Sequence, residues 1–271
     1  MEAVINGTNL YYETHGTGTP IILLHGGLGL DHTYLPPYLN SLGDTHELNY
    51  MDHVGNGRSA PPADWNTYNF DTLVDAVNGL RQHLGHDKVI LYGHSYGGFI
   101  AQSYAAKYGD TLNGLILCGT AAKVGDYPPA IPEWATAEMI NGFQALFAGP
   151  QADDAAWRAN WTAAFPMYLN ESNPTIEQAI DATTVYQAAA WNHASGLLAT
   201  YDTKAQLPSV TVPTLILSGK QDFLVRPDYA QDMHNLLPNS ELVYFENSGH
   251  YPFISEGDAY MQTVRAWLAQ R

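Results

Sequence analysis

The chain is predicted to fold as an α/β protein built on a mainly parallel sheet, and three observations lead there. Short apolar runs such as Ile21-Ile22-Leu23-Leu24 and Val89-Ile90-Leu91-Tyr92 lack polar alternation, as expected of strands covered on both faces. Segments of helical periodicity, roughly 10–15 residues long, separate such runs, the pattern of parallel strands joined by crossover helices. Finally, Gly93-His94-Ser95-Tyr96-Gly97 fits G-x-S-x-G at a junction of strand and helix, the context in which that motif presents an exposed serine hydroxyl.

In chain order, Ala3-Val4-Ile5 and Leu10-Tyr11-Tyr12-Glu13 flank Asn6-Gly7 and predict a β-hairpin. The run Ile21–Leu24 leads into His25-Gly26-Gly27-Leu28-Gly29, a loop whose glycines let backbone N–H groups approach a ligand. A strand over 47–51 ends at Asp52 and the loop Asp52–Ser59, where Arg58 makes structural hydrogen bonds. Phe70, Leu73, Val74, Val77, Leu80 and Leu84 recur at helical spacing. After the serine motif come a helix over 99–108, a strand over 112–118, strands over 213–219 and 241–245, and helices over 227–237 and 258–268. Strand signals vanish between Ala121 and Leu207, where alanine and aromatic residues concentrate. We read residues 121–207 as a helical cap inserted into a core formed by 1–120 and 208–271.

Composition narrows the function. A chain of 271 residues, 45% hydrophobic, can bury a sizeable core as one domain with an insertion. Its 27 acidic and 11 basic residues give a net charge of −16, which disfavours nucleic acid and anionic membranes as partners. Cys118, the single cysteine, reads as a small core residue. No apolar run reaches the roughly 20 residues of a membrane span, and no signal peptide is apparent at the start. A cytoplasmic location is expected, with a mature secreted form as the alternative.

A serine hydroxyl needs an adjacent base, itself oriented by a third group. His250 follows the last predicted strand and Asp222 the strand before it. Loops at the carboxyl ends of parallel strands share one edge, so Ser95, Asp222 and His250 can converge as nucleophile, acid and base. The backbone N–H groups of Gly27 and Tyr96 are the candidate oxyanion hole. Leu28, and from the insertion Trp134, Phe143, Trp161 and Trp191, are the candidate substrate contacts. His25 is read as shaping its loop and His94 as packing. His83-x-x-His86 has the spacing of metal ligands but lacks a third one nearby, so no metal is expected.

His25-Gly26-Gly27-x-Gly29, Asp52-x-x-Gly55-x-Gly57-Arg58-Ser59, Gly93-His94-Ser95-Tyr96-Gly97-Gly98, Asp222 and Ser248-Gly249-His250 together resemble the α/β-hydrolase superfamily over essentially the whole chain. The nearest resemblance is to proline iminopeptidases and to small cap-bearing esterases and lactonases. It implies an eight-stranded sheet with helices on both faces, a helical cap and a Ser-Asp-His triad without metal or cofactor. Two departures stand out. Leu28 occupies a position where proline iminopeptidases usually carry proline, and none of Glu133, Glu138, Glu171 and Glu177 matches the cap acids that bind their substrates' amino group. The expected activity is hydrolysis of small carboxylic esters or lactones through an acyl-enzyme. The alternatives are removal of N-terminal proline from short peptides and, in another class, non-catalytic reception of a small ligand. Oligomeric state is not legible.

Overall fold

In the computed structural model, which describes residues 1–271, none of Ile21, Ile22, Leu23 and Leu24 is more than 1% exposed. Successive strand residues point to opposite faces, so helices cover the sheet on both sides at this strand. The first half of the chain supplies β1 (Glu2–Ile5), β2 (Thr8–His15), β3 (Thr19–Leu24), the single turn α1 (Pro36–Leu39), β4 (His46–Met51), α2 (Phe70–His83), β5 (Val89–His94), α3 (Tyr96–Tyr108) and β6 (Leu112–Cys118). Four helices follow before the next strand: α4 (Ala137–Phe147), α5 (Asp154–Leu169), α6 (Pro174–Thr183) and α7 (Ala188–Leu198). The chain then returns to the sheet with β7 (Thr214–Gly219), α8 (Pro227–Leu236), β8 (Ser240–Phe245), the single turn α9 (Pro252–Ser255) and α10 (Gly257–Leu268).

The eight strands run in the order β1-β2-β4-β3-β5-β6-β7-β8. Only the pairs β1–β2 and β2–β4 are antiparallel. The hairpin turn has Asn6 at φ 51° and Gly7 at φ 82°, two positive values that match the twist of the flanking strands. From β3 the chain moves outward to β4, then returns to pair β5 on the other side of β3. A crevice opens outside the carboxyl ends of strands where the order reverses in this way.

The elements expected from periodicity are present, with shifts that have local causes. Helix α3 begins at Tyr96 rather than Phe99, because Gly97 and Gly98 join its first turn despite poor helix propensity. Close packing explains Gly97: a methyl group there would lie 2.2 Å from the Leu24 carbonyl oxygen. The colliding atom is backbone and cannot swing away. Gly97→Ala is therefore expected to destabilise by about 3 kcal/mol, the upper end for overpacking, read as a lower urea midpoint at unchanged m-value. Periodicity does not predict the turns α1 and α9, since four residues opening on proline carry no period to read.

The insertion leaves and rejoins the sheet at one place. Lys123 and Asp202 form an isolated antiparallel bridge, and Thr203 N–H donates to Ala122 O at 2.8 Å. Lys123 and Lys204 add ion pairs to Asp202 and Asp126 at the same point. No helix is long and apolar enough to cross a membrane.

Candidate active site

Ser95 occupies the turn between β5 and α3, at the crevice beside β3. Its φ of 51° and ψ of −114° are strained for a residue with a Cβ, at a cost of about 1–3 kcal/mol. Two backbone bonds hold the turn: Ser95 N–H donates to Cys118 O at 2.8 Å, and Ser95 O accepts from Gly98 N–H at 2.9 Å. The hydroxyl makes no capping bond to α3 and opens on a cavity that His250 also lines. The loop after β3 is close by, since a methyl group on Gly26 would lie 2.9 Å from Ser95 Cβ.

Asp222 and His250 follow β7 and β8, whose paired ends bring their loops together; Gln221 N–H donates to Ser248 O at 2.9 Å. His250 Nδ1 and Asp222 Oδ2 are 2.6 Å apart, and both residues are 2% exposed. The other carboxylate oxygen accepts from Leu224 N–H at 3.0 Å and Val225 N–H at 2.9 Å. A carboxylate partner fixes the proton on Nδ1, leaving Nε2 of the neutral imidazole as an acceptor. The peptide of His250 is held on both sides, its N–H by Tyr168 O at 2.7 Å and its C=O by His94 Nε2 at 3.0 Å.

His94 thus does more than pack. A carbonyl can only accept, so His94 Nε2 carries the proton and Nδ1 accepts from the Tyr34 hydroxyl at 2.7 Å. Tyr34 accepts in turn from Gly26 N–H. A directed chain of hydrogen bonds therefore runs from the loop after β3 to the backbone of His250. Burial, reinforced by the His250 ring, holds His94 well below the usual histidine range and keeps it neutral. His25 has the loop-shaping place expected of it: Nδ1 donates to Gly26 O at 2.8 Å and Nε2 accepts from His53 N–H at 3.3 Å. Burial keeps both rings uncharged, with His53 pushed down to about 4. Tyr34 lies in a loop without periodicity, so nothing in the sequence marks it as part of this chain.

Neither Gly27 N–H nor Tyr96 N–H is taken up by another group. Gly27 donates to no acceptor in the protein, and Tyr96, in the first turn of α3, has no intrahelical acceptor. Both residues line the cavity with Ser95. The positive end of the α3 dipole lies at the same place.

The cavity measures about 130 Å³. Leu28, Phe99 and Tyr251 form part of its wall on the sheet side, Leu224 and Val225 close it near Asp222, and the insertion contributes Trp161, Tyr168, Trp191 and Leu198. Val124 and Phe147, 39% and 53% exposed, stand on its rim. No carboxylate or cationic side chain belongs to the wall. Of the five sequence-derived candidates for substrate contact, Leu28, Trp161 and Trp191 line it. Trp134 and Phe143 do not. Trp134 precedes α4, is 40% exposed and borders a separate polar depression with Lys220 and Arg226. Phe143 packs edge-on against Phe223 of the loop after β7, their centroids 5.3 Å apart, within the continuous hydrophobic core.

The remaining signals have structural roles. Cys118 is fully buried in β6, and burial pushes its thiol up to about 12, which leaves it unreactive. His83 and His86 turn to different partners, Tyr12 Oη at 3.4 Å and Glu47 Oε1 at 2.9 Å. Asp52 accepts from His32 N–H, His32 Nδ1 and Arg58 N–H, tying the loop after β4 to the loop after β3. Burial works against a charged His32, but the Asp52 carboxylate 2.6 Å away outweighs it and raises the imidazole.

Comparison with known proteins agrees with this geometry. The alpha/beta hydrolase fold family matches residues 19–257. A proline iminopeptidase of Saccharolobus solfataricus is 30% identical over 98% of this chain and 91% of its own length. Among solved structures, an esterase from Exiguobacterium antarcticum superposes with a TM-score of 0.82 at 25% identity, over 98% of this chain and 97% of its own. A thermophilic esterase from Thermogutta terrifontis gives 0.79 at 26% identity, over 100% and 98%. With the sheet order and the strand–turn–helix serine pointing the same way, the chain belongs to the α/β-hydrolase family and is a hydrolase.

Proposed function

We infer that the protein is a serine hydrolase that cleaves small, uncharged carboxylic esters or lactones with an apolar acyl or alcohol group. The observation that carries this reading is the cavity wall: Ser95 and His250 share it with aliphatic and aromatic side chains, and no carboxylate is among them. An aminopeptidase must hold a protonated amine beside the scissile bond, and a buried cation without a counter-charge is strongly disfavoured. The acids of the insertion are elsewhere: Glu133, Glu138 and Glu171 are exposed, and Glu177 is engaged by Ser172 and by Asn173 N–H. The volume supports a small substrate, being similar to that of an apolar cavity of about 150 Å³ that takes up benzene.

In this mechanism Ser95 Oγ attacks the acyl carbon while His250 Nε2 takes its proton. Asp222 holds the imidazole in the required tautomer and offsets the charge it gains. The oxyanion is received by Gly27 N–H and Tyr96 N–H. Collapse breaks the bond to the alcohol oxygen, which leaves with the proton from His250. Water then attacks the acyl-serine with His250 as base, releasing the carboxylic acid and restoring the hydroxyl. A bond between Ser95 and His250 that tightens only with substrate in place is common in such sites. Residues 121–207 act as the cap, which supplies the far wall of the cavity and sets the size of substrate.

The second reading, proline iminopeptidase, is favoured by the names of relatives about 30% identical to this chain. The two part on one experiment. Turnover of p-nitrophenyl acetate and butyrate is expected to exceed that of proline p-nitroanilide by about a hundredfold or more in kcat/KM, the scale of a few kcal/mol for an uncompensated charge. A preference for the anilide would reverse the order of the two readings. Absence of turnover on both, together with no labelling of Ser95 by a fluorophosphonate, would favour a non-catalytic receptor.

A further inference from the structure

We propose that Trp157, which touches no substrate, is a positioning residue for the oxyanion hole: its indole N–H fixes the Gly29 peptide and through it the N–H of Gly27. This rests on the reading of Gly27 and Tyr96 as oxyanion donors.

Gly27 and Gly29 both lie in the left-handed region, at φ 73° and 75°. A loop of glycines has little conformational preference of its own, so its geometry must come from what surrounds it. Tyr34 takes the N–H of Gly26 at one end. At the other, Gly29 N–H donates to Asn56 Oδ1 at 2.8 Å, and Gly29 O accepts twice, from Trp157 Nε1 at 3.0 Å and Gln187 N–H at 2.8 Å. Both of those donors belong to the insertion. A methyl group on Gly29 would lie 2.3 Å from Gln187 O and 3.1 Å from Trp157 Nε1, so the close approach needs glycine.

Trp157 is fully buried and does not line the cavity. It stacks on Trp191 at 4.3 Å between centroids and lies 5.6 Å from Trp161, and those two rings do line it. The indole N–H is a donor with no other use, and its acceptor is two residues from the oxyanion donor. The insertion thus supplies part of the oxyanion machinery as well as the cavity wall. Removing the N–H orphans nothing, because Gly29 O keeps the bond from Gln187. The loss should therefore appear in the transition state more than in stability.

Two variants test this. Trp157→Phe removes the N–H along with part of the ring, and β-(3-benzothienyl)alanine at 157 removes only the N–H while keeping the bicyclic shape. In both, kcat on p-nitrophenyl butyrate is expected to fall about tenfold, less than the loss of a whole oxyanion donor, with KM within about twofold of the parent. Affinity for a trifluoromethyl ketone, which forms a tetrahedral adduct on Ser95, should fall by the same factor, while butyrate inhibits as before. If the benzothienyl protein keeps parental kcat and ketone affinity, the proposal falls. Equal losses in kcat and butyrate affinity would overturn it too, as a distortion of the cavity. Fluorophosphonate labelling of the parent separates the two levels. A parent not labelled at Ser95 removes the hydrolase reading and this inference together, whereas a labelled parent with indifferent variants removes this inference alone.

Discussion

Ser95→Ala is expected to fold as the parent does and to hydrolyse p-nitrophenyl esters about 10⁶-fold more slowly, the scale seen when a catalytic serine is lost. Both bonds that hold the elbow come from the backbone of residue 95, and its hydroxyl makes no capping bond to α3. Nothing stabilising leaves with the oxygen. Ser95→Gly extends the argument: it is equally inactive and also relieves a φ of 51°, so it should be about 1 kcal/mol more stable than the parent. A urea titration beside a burst-free progress curve reads both effects. A Ser95→Ala protein with hydrolysis well above background would mean that another group is the nucleophile, and the functional reading would fail.

Asp222→Asn is expected to lower kcat by about 10⁴-fold with KM little changed, because an amide can leave the imidazole in the wrong tautomer. The remaining oxygen can still accept from Leu224 N–H and Val225 N–H, so the loop should hold its shape. Asp222→Ala removes that support as well. Two partly buried N–H groups and the buried His250 Nδ1 then lose their acceptor, which should cost about 2–3 kcal/mol of stability besides the activity. The contrast between the two variants is the informative measurement: similar kcat, different urea midpoints. Equal stabilities would mean that the carboxylate does not organise the loop after β7.

How much of this could be read from the sequence depended on how local the determining physics is. Strands β3, β5, β6 and β7 are legible because burial on both faces demands unbroken apolar runs. The places of Ser95, Asp222 and His250 are legible because residues just past the ends of parallel strands must share an edge. The aromatic residues of the insertion are another matter. Trp157 and Trp161 lie one turn apart on α5, yet only Trp161 reaches the cavity. Which of two neighbouring rings faces the serine depends on how the helix docks, and periodicity does not contain the docking angle. Trp134 illustrates the same limit, since it precedes the helix and turns to solvent. His94 and Tyr34 escaped for a further reason. Their roles come from pairing across 60 positions of sequence, which no local pattern records.

The narrow neck at Lys123 and Asp202 has a consequence for how such an enzyme diversifies. A contiguous segment whose two ends meet at one point can be exchanged for another without moving any strand, much as a lens is changed on a fixed camera body. New substrate ranges are then open to this chain by replacement of a single stretch. The bonds from Trp157 and Gln187 to the Gly29 carbonyl set a condition on such exchanges, since an incoming segment must bring replacement donors if kcat is to be kept in full.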